Sequence, residues 1–149
     1  MITIRKAKLT DLDRMMEIYA RAKRFMDSTG NTTQWEIGYP TRKIIQDDIE
    51  NGYSFVCMGE DNIPHAAFKF FVGEDPTYRV IEQGSWKNDN TYGTIHRVAS
   101  DGTIKEYFTD SFLLRSDLPR AFAPIPIRIT MSCSICLKRM DLSAVVLYM

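Results

Sequence analysis

The chain has 149 residues, which fits one domain large enough for a real core. Hydrophobic residues make up 44% and charged residues 26%, an ordinary globular composition, and nineteen basic residues balance nineteen acidic ones, which argues against a nucleic-acid surface or a polybasic membrane patch. No apolar run is long enough to span a bilayer, "MITIRKAKLTD" is too charged for a secretory leader, and three cysteines, an odd number, fit a reducing compartment better than a disulfide framework, so the cytoplasm is the expected location.

Ile2 and Ile4 begin a short alternating strand. Thr10 stands at an N-cap position with Asp13 three residues on, the spacing of a capping box. Leu12, Met15, Met16, Tyr19, Ala22 and Met26 follow at helical spacing and form one apolar stripe, so the methionines read as core filling rather than a partner groove. Gly30 is the expected stop. The loop "NTTQWEIGYP" then places two large aromatics, Trp35 and Tyr39, in a polar setting. Beyond Pro40, Thr41 can cap a second helix that carries Ile44, Ile45 and Ile49 and ends near Gly52. From there the period changes. "YSFVCM" and "HAAFKFFV" are strand-like runs joined by the turn-rich "GEDNIP", and should pair as an antiparallel hairpin. After the long connection "GEDPTYRVIEQGSWKNDNTYG", "TIHRVAS" is the next strand. It stops at Ser-Asp-Gly and runs into the helical "GTIKEYFTDSFLL". The order is β-α-α-β-β-β-α, an α/β fold of the α+β type, with no internal repeat.

These segments carry a resemblance. "ITIRKAKLTDLDRMMEIYARAK" resembles the opening strand and helix of the GNAT acetyltransferases. "NTTQW", "FFVGEDPTY", "IEQGSW" and "TIHRVASDG", in that order and spacing, resemble a small bacterial subfamily of them. The match covers roughly the first two thirds of the chain. It implies a single GNAT-like domain over residues 1–149: a central mixed, mostly antiparallel sheet flanked by helices, family-like over 1–110 and atypical over 111–149, where the fold is left incomplete. It implies acetyl-CoA as co-substrate and direct transfer of acetyl to a small amine or an N-terminal amine, with a base removing the proton of the amine. On that pattern Val98, Ala99 and Ser100 line the pantetheine arm. The following loop, with Gly102, Thr103, Ile104 and Lys105, takes the pyrophosphate at a helix start. Because many GNAT proteins dimerise, a homodimer is implied as well. The family loop usually reads Arg/Gln-x-x-Gly-x-Gly/Ala. Here "DGTIKEYF" has Gly102 as its only glycine, Lys105 as its only cation, and an anion at Glu106. A catalytically impaired remnant, acting at most through association, is therefore the competing reading.

His96 on the central strand is the candidate general base, because a histidine titrates near neutrality; the alternative is a packed strand histidine. Trp35 and Tyr39 are candidate walls of the acceptor pocket or, alternatively, a cover for the core beneath the first helices. Arg97 alternates with His96 and so should face the other side of the sheet, in a structural role. Glu36 and Glu82 are candidate bases acting through water. Cys133-x-x-Cys136 lacks the further ligands that a structural zinc site wants, and His65 and His96 lie far away on strands, so no metal is expected.

The last third reads differently. It has three prolines from Pro119 to Pro126 and then an apolar Ser/Cys/Met tail, without a visible Lys-Asn-Gly-Phe motif. Joining the third base of each codon to the first two of the next allows Leu137 to Tyr148 to decode as Lys-Lys-Asn-Gly-Phe-Lys-Arg-Cys-Gly-Ile-Ile-Tyr. Pro124 to Ile127 can likewise decode as His-Pro-Asp. Both resemble C-terminal GNAT motifs. The tail is thus read as an out-of-frame translation.

Overall fold

The computed structural model describes residues 3–72, 93–103 and 127–128. Strand β1 (Thr3–Lys6) leads through a 3-10 turn (Leu9–Asp11) into helix α1 (Leu12–Ser28). Helix α2 (Arg42–Glu50), β2 (Ser54–Met58), β3 (Pro64–Val72), β4 (Gly93–Ser100) and the short β5 (Ile127–Arg128) follow. The strands form one sheet in the order β1-β2-β3-β4-β5, antiparallel except for the parallel β4–β5 pair. The expected element order holds as far as β4, and the expected hairpin is β2–β3. The expected helix over "GTIKEYFTDSFLL" and all of the tail except Ile127 and Arg128 lie outside the described residues.

The N-cap expected at Thr10 is not formed. The chain first makes the 3-10 turn, and the Asp11 carboxylate turns back to accept from the Lys8 N–H at 2.7 Å and from Arg5 Nη1 and Nη2 at 2.7 and 2.9 Å. The Arg5 hydrogen bonds hold the Asp11 carboxyl below the usual carboxylate range, against the effect of burial. Helix α1 then starts at Leu12 with no side-chain cap. Its end follows the expectation. Gly30 takes φ +83°, where a Cβ would be strained, Gly30 N–H donates to the Asp27 carbonyl, and Asn31 N–H donates to the Met26 carbonyl. In α2, Thr41 Oγ1 accepts from the Ile44 N–H at 3.3 Å, and Gly52 and Tyr53 close the other end on the Ile49 and Asp48 carbonyls.

Both helices lie on one face of the sheet. Leu12, Met15, Ile18, Tyr19 and Met26 of α1 and Ile45 and Ile49 of α2 pack with Val56, Ala67 and Ala99 of the strands. Full burial of side chains this size contributes about 1.5–3 kcal/mol each. Strand alternation sends Phe55, Phe68 and Phe70 to the opposite face, where Phe55 and Phe68 stack at 5.4 Å between centroids.

One irregularity positions the site. Ala67 pairs with Ala99, but Lys69 pairs with His96, so Arg97 and Val98 of β4 together stand opposite Phe68. Arg97 absorbs the extra residue at φ +51°. A side-chain-bearing residue in that region costs on the order of 1–3 kcal/mol, so its surroundings must hold it there. The bulge cancels the period of two. Arg97, expected to face away from His96, instead shares the helix-bearing face with it.

Candidate functional site

The loop between α1 and α2 supplies one wall of a cleft. Asn31 Nδ2 donates to Gln34 Oε1 at 2.5 Å, and Tyr39 N–H donates to the Glu36 carbonyl at 3.0 Å, which folds the loop on itself. Trp35 is buried edge-on between Tyr19 and Tyr39, at 5.9 and 5.8 Å between centroids. Edge-to-face pairs of this kind contribute about 0.5–1.5 kcal/mol beyond their buried area. The Tyr39–Pro40 bond is cis, and Thr41 follows it as the cap of α2. Glu36 stays exposed, and Ile37 is fully exposed.

The opposite wall is β4. His96 stacks flat on Phe71, at 6.1 Å and 9° between planes. Gln34, Trp35, Glu36, Tyr39, His96 and Arg97 together enclose an open cleft of about 390 Å³. The structure thus brings Trp35, Tyr39 and His96 together around one space, with Glu36 at its rim; Glu82 lies outside the described residues. Trp35 also packs in the core with α1, so its two sequence readings are not exclusive.

Arg97 sits at the floor of the cleft in a network that extends to α2. Its Nη2 is ion-paired with Asp48 Oδ2, and its Nη1 donates to the Tyr39 hydroxyl at 3.0 Å. The other Asp48 oxygen takes Lys69 Nζ at 3.1 Å, and that ammonium lies 5.3 Å from the Phe71 ring centroid and 5.7 Å from that of Tyr53. Because the Tyr39 oxygen accepts from a cation, its own O–H remains a donor for whatever occupies the cleft. Asp48 is buried on the same stripe as Ile45 and Ile49. Sequence reasoning missed it. The available signal was a carboxylate at apolar spacing in "KIIQDDIE", which calls for a cationic partner.

At its other end β4 runs into the loop implied to hold pyrophosphate. Val98 and Ala99 are buried and Ser100 is half-buried. Gly102 N–H donates to Ser100 Oγ at 3.0 Å, and Thr103 N–H donates to Asp101 Oδ1 at 2.8 Å. Ile104 and Lys105 lie outside the described residues. Asp101, also missed, is buried and held from several sides. It pairs with Arg14 of α1, its N–H donates to the His65 carbonyl at 2.9 Å, and its Oδ2 lies 2.8 Å from His65 Nδ1. The far ring nitrogen of His65 is 2.9 Å from Asp61 Oδ2. Burial works against a charged His65, but the hydrogen bonds to Asp101 and Asp61 outweigh it and raise the pKa above 6.5. Burial also opposes the Asp101 charge. The Thr103 N–H and His65 overcome it and hold the carboxyl below its usual range.

On its β5 side β4 pairs at Gly93 and Thr94 among the described residues. Among the described residues nothing lies within 4 Å of where a Cβ on Gly102 would stand. A phosphate at this backbone would require the two amides bonded to Ser100 and Asp101 to exchange those partners for it. Among the described residues there is no group of His, Cys, Asp and Glu fit to hold a metal, and no helix long and apolar enough to cross a membrane.

Comparison with solved structures gives one answer about the fold. The chain is similar to a GNAT-family acetyltransferase from Streptococcus agalactiae at 35% identity and a TM-score of 0.61, over 68% of this chain and 59% of that one. It is similar to a GNAT-family acetyltransferase from Listeria monocytogenes at 16% identity and a TM-score of 0.61, over 93% and 82%. It is also similar to a GCN5-related N-acetyltransferase from Ralstonia eutropha at 14% identity and a TM-score of 0.57, over 100% and 97%. No family model and no curated protein matches the chain.

Proposed function

We propose that this chain, which has the GNAT acetyltransferase fold and resembles that family in sequence, transfers an acetyl group from acetyl-CoA to an amine held in the Trp35–Tyr39–His96 cleft. The observation that carries the reading is the meeting of an aromatic wall, Trp35 and Tyr39, with a histidine of β4, His96, around one space. Acetyl-CoA supplies a thioester already activated toward attack by an amine.

The chain's own residues supply placement and proton handling. The backbone of Val98, Ala99 and Ser100 holds the arm, and Gly102 with Thr103 takes the phosphate end. Trp35 and Tyr39 exclude water from one side of the amine, and the Tyr39 O–H is free to donate into the cleft. A ring nitrogen of His96 takes the proton of the amine, with the ring held flat by Phe71. Arg97 is not the base, because its guanidinium is committed to Asp48 and Tyr39.

The test begins with the melting temperature of the chain with and without millimolar acetyl-CoA. A ligand at about 100 times its Kd stabilises the native state by about 2.7 kcal/mol, so a clear rise is expected. Release of CoA thiol should then follow addition of a primary-amine panel. His96→Gln should lower kcat by about a hundredfold or more while leaving the acetyl-CoA shift in place. A cooperative melt that acetyl-CoA does not move would sink the proposal and return the chain to the non-catalytic reading.

A further inference from the structure

Arg97 occupies a position that is costly on several counts. Its backbone is left-handed without being glycine. Its guanidinium is withdrawn from solvent beside the buried Asp48. Its Nε is buried with no hydrogen-bond partner among the described residues. A well-packed apolar side chain would avoid both side-chain costs, so stability alone does not account for an arginine here. Departures from local rules of this kind concentrate where geometry is being set for function.

What the arginine does instead is join separately folded parts of the cleft. It belongs to β4, it is clamped by Asp48 of α2, and it donates to the hydroxyl of Tyr39 in the loop before α2. Tyr39 in turn is edge-packed on Trp35. No other described hydrogen bond runs from Tyr39 to the sheet. We propose that Arg97 is a positioning residue: clamped by Asp48, it fixes the Tyr39–Trp35 wall at a set distance from the bulged strand, and so sets the acceptor against the cofactor arm. This rests on the reading of the cleft as the acceptor site. Lys69 serves a different purpose. It balances the remaining Asp48 charge and lies against Phe71 and Tyr53, and no described hydrogen bond or ion pair joins it to the wall.

The test uses the full chain with Trp86→Phe, which leaves Trp35 as its sole tryptophan. Acrylamide quenching of Trp35 reads the seating of the wall directly. Tyr39→Phe keeps the ring and removes only the acceptor of the Arg97 bond. It should raise the quenching constant about twofold with unchanged far-ultraviolet circular dichroism, as loss of one anchoring hydrogen bond would. Asp48→Asn should do the same from a different element, whereas Lys69→Met should leave quenching as it was. Where the unsubstituted chain acetylates an amine, Tyr39→Phe should raise KM for that amine and leave the calorimetric Kd of acetyl-CoA within about twofold.

Unchanged quenching in folded Tyr39→Phe overturns the inference. So does an equal rise in Lys69→Met, which would mark general loosening. If Asp48→Asn does not fold, Tyr39→Phe alone decides. If acetyl-CoA does not bind the unsubstituted chain, the acetyltransferase reading fails while the quenching result still decides whether Arg97 seats the wall.

Discussion

Asp101 is a carboxylate at the mouth of a loop read as an anion site, which would repel phosphate if it stood alone. It does not. Arg14 and His65 face it, Asp61 faces the other side of the His65 ring, and Glu17 in turn pairs with Arg14. The cluster therefore neutralises Asp101 and ties the end of β4 to α1 and to the β2–β3 turn. Its stability contribution has a definite pH sense. His65 has a raised folded pKa, so its share is complete below its ordinary 6.5 and is lost as pH rises through the folded value. Asp101 has a lowered one, so its share is present above its ordinary 3.8 and is lost as pH falls through the folded value. The melting temperature should accordingly fall as the pH is taken from about 6 to about 9, and His65→Gln should flatten that fall. A second variant reaches the same cluster without touching a titratable group. A Cβ on Gly59 would stand 2.7 Å from both Asp61 Oδ1 and His65 Cδ2, so Gly59→Ala must displace at least one of the two from its present place. It should reproduce the flattened profile; a profile that keeps its full slope in both variants would show that other groups govern it.

Among the elements, α2 does the most for the site relative to its size. It is short, and isolated helices of that length are marginal, so its ends matter. Thr41→Ala removes the hydroxyl that accepts from the Ile44 N–H, at a cost of about 1 kcal/mol by denaturant titration. Because Asp48 rides on this helix, the same substitution should increase quenching of Trp35, whereas an exposed change at Lys43 should not. Helix α2 also shows how far the sequence could be read. Thr41, the isoleucine spacing and Gly52 all announce a helix locally, and the same kind of signal located Gly30, the α1 stripe and the β2–β3 hairpin. Trp35, Tyr39 and His96 were legible as candidates, because large aromatics in a polar loop and a histidine on a strand are visible one residue at a time. Local pattern could not show what depends on partners distant in sequence. The Asp11 carboxylate is drawn back to Arg5 and Lys8 in a 3-10 turn, so the helix starts at Leu12 without the cap expected from Thr10 and Asp13, and the β4 bulge turns Arg97 onto the face of His96, where Asp48 and Tyr39 receive it.

At the scale of the molecule the sheet poses a demand that the described elements meet on one side only. Both α1 and α2 cover the face that carries Val56, Ala67 and Ala99. The other face carries Phe55, Phe68, Phe70, Ile95 and Val98, all buried, and a fold of this kind needs elements shaped to that surface. Beyond β4 the chain leads into the tail whose shifted frame can decode as His-Pro-Asp and Lys-Lys-Asn-Gly-Phe. A tail translated out of frame would not have been selected to fold, and its elements would be weakly specified. The shifted reading therefore predicts two results. The gene sequence should contain a site upstream of Pro124 where insertion or deletion of a single base restores those motifs in frame. A chain expressed from the restored frame should melt more sharply and at a higher temperature than the present one, because a sequence selected to fold separates its native state from competing compact states by a larger gap. Gene sequence that yields no such motifs in either shifted frame would end the idea at once. A restored chain that melts no higher than the present one would show instead that the existing tail specifies the fold as well as the restored one does.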